Sequence, residues 1–209
     1  VPALLAGYQS AVEHGQVKPV LSAAQLQYLD QLNQHIDTEI SRSNLIVDMM
    51  LASARAGMLE RSDFAHHSIK KCVDQALASY PFEISMRNKV RVQGSHDFTF
   101  FGSDVLLVCV LYNLFKNALH AIQLAGRGEL EIILADRQLL VTDTGSGIPD
   151  DVLPHVFEPF YSTGGTGIGL AFCQKVITAF GGKIQCESKA GAYTRFSLSF
   201  PLWFNYPAS

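Results

Sequence analysis

The sequence predicts an α+β protein in two parts: a helical hairpin, then a mostly antiparallel sheet with helices on one face. Three observations carry this. From Ser22 to about Arg55 there is no Gly or Pro, and a seam that is apolar but for Asn33 and Ser43 recurs at alternating spacings of three and four. Beyond Gly57, apolar runs of strand length mix with runs of helix length. The mixture lacks a regular strand–helix–strand order, which suggests a sandwich of one sheet and one helical layer.

Composition bounds the rest. A chain of 209 residues makes one or two domains, and 48 % hydrophobic against 17 % charged residues is enough to bury a sizeable core. A net charge of −3 gives no electrostatic reason to expect nucleic acid or an anionic membrane as partner. Cys72, Cys109, Cys173 and Cys186 are scattered, which fits buried thiols in a reducing compartment better than a disulfide framework or a zinc site. The longest unbroken apolar run, Val105 to Tyr112, is too short to span a bilayer. There is no signal peptide and the first residue is not Met, so a piece of a longer protein is expected.

In order along the chain, Pro2 to Glu13 forms a short apolar helix that His14-Gly15 ends. Ser22 with Gln25 is a capping-box pattern opening the long helix. Its seam is Leu26, Leu29, Asn33, Ile36, Ile40, Ser43, Val47, Met50 and Ala54, a heptad spacing. A hairpin this short cannot close a core alone; two copies are expected to make a four-helix bundle, the alternative being a hairpin packed on its own chain. Ser68 to Tyr80 reads as a helix, and Lys89 to Gln93 and Asp97 to Phe101 as strands. Ser103 caps an apolar helix from Asp104 to Ala125. Glu129 to Leu134 and Gln138 to Thr142 pair around Asp136-Arg137. Gly167 to Phe180 is a helix, and Lys183 to Ser188 and Thr194 to Phe200 are closing strands.

Three stretches carry chemistry. In VLYNLFKNALHAI, Asn113, Lys116, Asn117 and His120 fall at i, i+3, i+4 and i+7, one polar stripe on an apolar helix. Such a stripe is commonly only a solvated face, but two Asn are weak helix formers, and an amide oxygen is a hard neutral ligand suited to Mg²⁺. In DTGSGIP, an Asp at a strand end precedes two glycines that permit a tight turn and a close approach of backbone to ligand. A carboxylate there accepts from an exocyclic amine, which adenine has and guanine lacks at that position. In STGGTGIGLAFCQKV, glycines lead straight into a helix whose free N–H groups and dipole favour phosphate. It is neither a P-loop nor a dinucleotide fingerprint.

Taken in order, N-x-x-x-N-A, D-x-G-x-G, F-E-P-F and G-T-G-I-G-L between Asn113 and Leu170 resemble the ATP-binding domain of sensor histidine kinases. These belong to the wider group that includes gyrase, Hsp90 and MutL. The heptad hairpin resembles that family's dimerisation and histidine-phosphotransfer domain, so the resemblance spans nearly the whole chain. It implies a hairpin over residues 1–58, its first helix truncated, and a Bergerat-type α/β sandwich over 59–209. GIGLAFCQKVITAFGGKIQCES, with the later AYTRFSLSFP, looks like the hybrid kinases of vibrio-type quorum sensing.

Residue by residue, the resemblance implies that Asn117 holds Mg²⁺ between the phosphates of ATP, with Asn113, Lys116 and His120 on the phosphate side. Asp143 reads the adenine amino group, and Gly145 and Gly147 let the backbone pass beneath the base. Thr194 stands near the adenine, and Phe157 and Phe160 anchor a lid. Gly165, Thr166, Gly167, Gly169 and Leu170 surround the phosphates. Where hydrolytic relatives carry a water-activating Glu, this chain has Asn113, a poor base, which favours transfer over hydrolysis.

Two departures stand out. The lid, Tyr161 to Gly164, is short and has no Lys or Arg. The phosphoacceptor box H-E-x-x-x-P is missing and is expected ahead of Val1-Pro2. His14 and His35 lack the flanking acid, His66-His67 lies past the hairpin, His96 and His155 read as loop residues, and His120 faces the nucleotide. The expected protein is the core of a histidine kinase: a homodimer through the hairpin, phosphorylating a receiver domain. It is expected to be cytoplasmic, with the inner membrane as a setting open to a bacterial parent and no membrane contact by this part. The alternative is a catalytically silent nucleotide-sensing dimer, or a phosphatase-biased interaction module. A chaperone- or topoisomerase-type ATPase would need a Glu at position 113.

Overall fold

A computed structural model describes residues 7, 10–12, 14, 22, 24–29, 31–32, 36, 64–94, 96–161 and 167–202. The chain divides into two compact units, Val1–Val47 and Asp48–Ser209. In the first, the capping box is formed reciprocally. Gln25 N–H donates to Ser22 Oγ at 3.3 Å, and Ser22 N–H donates to Gln25 Oε1 at 2.8 Å. The described residues that follow are helical, with Leu26 and Leu29 half-buried and Ile36 49 % exposed. The seam from Ile40 onward lies outside the described residues.

The second unit opens with β1 (Ala65–Ser68), which pairs antiparallel with β3 (Thr99–Gly102). Between them come α1 (Ile69–Ser79), the short α2 (Ile84–Arg87) and β2 (Val90–Gln93). Ser68 starts α1 because its hydroxyl serves both sides. It accepts from Lys71 N–H at 3.1 Å and donates to the Asp97 carboxylate at 2.8 Å. Replacing it (Ser68→Ala) should cost about 1 kcal/mol, read as a lower urea midpoint at unchanged slope.

The core helix α3 (Asp104–Ala125) begins at Ser103, whose Oγ accepts from Leu106 N–H, and ends at Gly126 in the left-handed region, φ 65°. It is long and apolar enough to cross a membrane, but it is the central core helix, packed against α1, against α4 (Gly169–Ala179) and against the sheet. The main sheet runs β2-β4-β5-β7-β6, with β4 (Leu130–Ala135), β5 (Gln138–Asp143), β6 (Lys183–Lys189) and β7 (Tyr193–Ser199). Among the described residues only β2 and β4 pair in parallel.

Strand alternation puts Leu130, Ile132 and Leu134 of β4, Leu139 and Val141 of β5, and Phe196 and Leu198 of β7 on the buried, helix-facing side. The other face carries polar pairs such as Gln93–Glu131 and Arg195–Glu187. This is the predicted α+β sandwich, with a mostly antiparallel sheet under one helical layer. The four-helix bundle needs a second chain and is not seen. Strand β1 escapes prediction because AHHS has no strand-forming run. It is held by pairing with β3 and by its neighbour Phe64, whose ring sits edge-on to Phe101 and Phe180.

Candidate nucleotide-binding site

Sheet register assembles the site. Leu130, Asp143, Thr194 and Ser188 are successive partners across β4, β5, β7 and β6, so they form one transverse row on the helix-facing side. Leu130 is apolar and the next three are polar, at the strand ends where the core gives out. Asp143 and Thr194 are each 3 % exposed.

Asp143 Oδ1 accepts Gly145 N–H at 3.0 Å. No sealed side-chain nitrogen or oxygen among the described residues lacks a partner, so the other carboxylate oxygen reaches solvent. Burial pushes this carboxyl up to about 6, with the Gly145 N–H opposing the shift. Cys186, on β6, is pushed up to about 12 by burial, with the Asp143 and Glu187 carboxylates adding to it. It stays a neutral thiol.

The loop after Asp143 is stitched down on three sides. Ser146 N–H donates to Ala121 O of α3 at 3.1 Å, Gly191 N–H donates to Ser146 O at 2.6 Å, and Ile148 N–H donates to Ser188 Oγ at 2.8 Å. Arg127 holds the β6–β7 turn by donating to Gly191 O at 2.7 Å. The two glycines are needed by the protein itself. A Cβ on Gly145 would lie 2.5 Å from Ala121 C, and one on Gly147, at φ 66°, would strike Lys189 O. The closest approach at both glycines is therefore to neighbouring backbone.

The polar stripe of α3 divides. Lys116, Asn117 and His120 are exposed, whereas Asn113 is 5 % exposed and donates from Nδ2 to Cys109 O at 3.0 Å. Its Oδ1 faces Gly169, where an added Cβ would lie 2.5 Å away. Asn113 thus sits in the α3–α4 seam. In the lid region, the ring of Phe157 packs edge-on to Phe196, with centroids 6.4 Å apart. Phe160 does not anchor with its ring, which is 81 % exposed; its backbone N–H donates to Gly167 O at 3.0 Å. Its φ of 66° is in the left-handed region. Gly167 has φ 67°, and a side chain there would strike the Phe160 backbone. Leu170 is packed on the core. Gly165 and Thr166, with Gly164, lie outside the described residues.

Among the described residues no group of three or more His, Cys, Asp or Glu can hold a metal. The exposed Asn117 amide could supply one hard oxygen ligand to a Mg²⁺ otherwise held by a ligand's own oxygens. Sequence reasoning missed Ser188, Ile148 and Ala121, because each acts through register or backbone contact that only the assembled fold reveals.

The fold is shared with known proteins. Residues 102–203 match the family described as histidine kinase-, DNA gyrase B-, and HSP90-like ATPase. The chain is 34 % identical to the CAI-1 autoinducer sensor kinase/phosphatase CqsS of Vibrio cholerae, over 87 % of this chain and 27 % of that protein. It is 31 % identical to the autoinducer 1 sensor kinase/phosphatase LuxN of Vibrio campbellii, over 95 % of this chain and 26 % of that one. It thus spans about a quarter of these relatives' length. The catalytic domain of histidine kinase ThkA superposes with a TM-score of 0.55 at 25 % identity, covering 66 % of this chain and 99 % of that domain. Full-length ShkA in complex with AMPPNP superposes with a TM-score of 0.59 at 22 % identity, covering 88 % and 40 %, a likeness of fold. Residues 102–203 thus form a domain of the histidine kinase-, DNA gyrase B- and HSP90-like ATPase family, and the chain is similar to sensor kinases that carry it.

Proposed function

We propose that this domain binds Mg²⁺-ATP and passes the γ-phosphoryl group to a His side chain, from which it moves to an Asp of a response-regulator receiver. The observation that carries the reading is Asp143, a buried carboxylate with one oxygen open, at the end of β5. It accepts from the adenine amino group. The exposed Lys116, Asn117 and His120 of α3 take the phosphate side, and Asn117 holds the Mg²⁺ that offsets phosphate charge. Gly165, Thr166, Gly167, Gly169 and Leu170 complete the phosphate enclosure. Asn113 is a buried amide and supplies no base for attack by water, which supports transfer.

None of the seven His lies in an H-E-x-x-x-P box, and the acceptor in this reading is a His of such a box. Residues 1–58 act as the dimerisation hairpin and 59–209 as the ATP domain. The exposure of Ile36 on the seam supports a second copy as its cover. The setting is the cytoplasmic side of a bacterial inner-membrane sensor. Relatives named kinase/phosphatase favour a second reading, in which the same dimer holds a receiver and promotes loss of its phosphoryl group.

Joined to a hairpin that carries the His box, the domain should label that His from γ-labelled ATP. Asn117→Ala should reduce labelling roughly a hundredfold. ATP binding with no labelling would shift the assignment to the second reading.

A further inference from the structure

Ser188 lies outside the sequence motifs of the site, yet it is tied to both the loop and the pocket floor. Its hydroxyl has three neighbours. Ile148 N–H donates to it at 2.8 Å, Tyr193 O lies 2.6 Å away, and Thr194 Oγ1 lies 3.0 Å away. A hydroxyl has one proton and two lone pairs. A carbonyl oxygen can only accept, and two oxygens at 2.6 Å need a hydrogen between them, so the Ser188 proton goes to Tyr193 O. One Ser188 lone pair takes the Ile148 N–H. The other is left for Thr194, which must therefore donate its own proton to Ser188.

The consequence falls on Thr194. With its proton committed to Ser188, it offers only lone pairs to whatever lies beside Asp143, its register partner on β5. The ionised Asp143 carboxylate also offers only lone pairs. We propose that Ser188 is a positioning residue that locks the Thr194 hydroxyl as an acceptor, making the pocket floor a pair of acceptors that selects a 6-amino purine and rejects a 6-oxo purine. A 6-amino group has two protons for the two acceptors. A 6-oxo group would set its own lone pairs against those of Thr194. The proposal rests on the assignment of this row to the base of ATP.

The test is calorimetric titration of the whole chain with ATP and with inosine triphosphate, both with Mg²⁺, at pH 8 where Asp143 is ionised. Wild type should prefer ATP. Ser188→Ala frees the Thr194 hydroxyl to turn its proton to the base, and should narrow the ATP-to-inosine preference about tenfold. Ser188→Thr keeps the hydroxyl and should restore it. In a Thr194→Val background, Ser188→Ala should leave the preference unmoved, because the group it acts through is gone. An equal loss of both nucleotides in Ser188→Ala, at unchanged ratio, would overturn the proposal and reduce Ser188 to a support for Ile148. A wild-type chain that binds neither nucleotide would overturn the ATP assignment itself, and this proposal with it.

Discussion

Asp143→Asn should abolish ATP binding and, in the same molecule, stabilise the nucleotide-free protein above pH 6. The free carboxyl value of 3.8 rises to about 6 in the fold because burial penalises the charge, while one N–H from Gly145 only partly offsets it. The folded state therefore keeps a proton that the unfolded chain releases. The associated stability is full below about pH 4 and is lost as pH rises through about 6, a change on the order of 3 kcal/mol. Asn has no charge to bury and keeps an oxygen for Gly145 N–H. Its own amide burial offsets part of the gain, leaving about 1–2 kcal/mol near neutrality. Urea unfolding of both proteins at pH 4.5 and 7.5 checks this: the advantage of Asn should grow with pH. A constant difference would mean that the carboxylate is not desolvated. The binding loss has the opposite origin. The Asn NH₂ places a donor against the adenine amino group, and about a hundredfold or more in affinity goes with it. The expected pattern is that the residue that costs the empty fold stability is the one the proposed ligand requires.

Gly145→Ala should be among the most damaging single changes in the domain. The added Cβ would lie 2.5 Å from the carbonyl carbon and 2.6 Å from the carbonyl oxygen of Ala121. These are backbone atoms of the core helix α3 and cannot swing aside, so the loop or the helix must move. The loss should be roughly 4 kcal/mol or more, enough to leave the chain largely unfolded or its nucleotide loop displaced. Gly126→Ala is the matched control. Gly126 has φ 65° at the end of the same helix, but a Cβ there meets nothing within 4 Å. Only the left-handed backbone penalty applies, about 1 kcal/mol. Thermal melts of the two variants separate steric from conformational cost, and equal shifts would contradict the close packing of loop on helix.

Much of the fold is legible in the sequence because its signals are local. Ser103 before an apolar run and Gly126 after it fix both ends of α3, and Asp136-Arg137 between apolar runs fixes the β4–β5 hairpin. Strand β1 is not legible, because its partner β3 lies beyond α1, α2 and β2. The site divides the same way. Asp143 and its glycines announce themselves by spacing. The burial of Asn113 does not, because i, i+4 periodicity places it beside Asn117, whereas in the fold its Oδ1 is packed against Gly169 at the start of α4. The Asp143–Thr194–Ser188 row depends on register across three strands, which spacing along the chain cannot supply.

The central claim is that this domain holds Mg²⁺-ATP with the base on Asp143. Its most direct test is a calorimetric titration of the 209-residue chain with ATP, with and without Mg²⁺, beside Asp143→Asn. The account predicts Mg²⁺-dependent, one-to-one binding by wild type and none by the variant. Equal binding by the two proteins, or none by wild type, would contradict it.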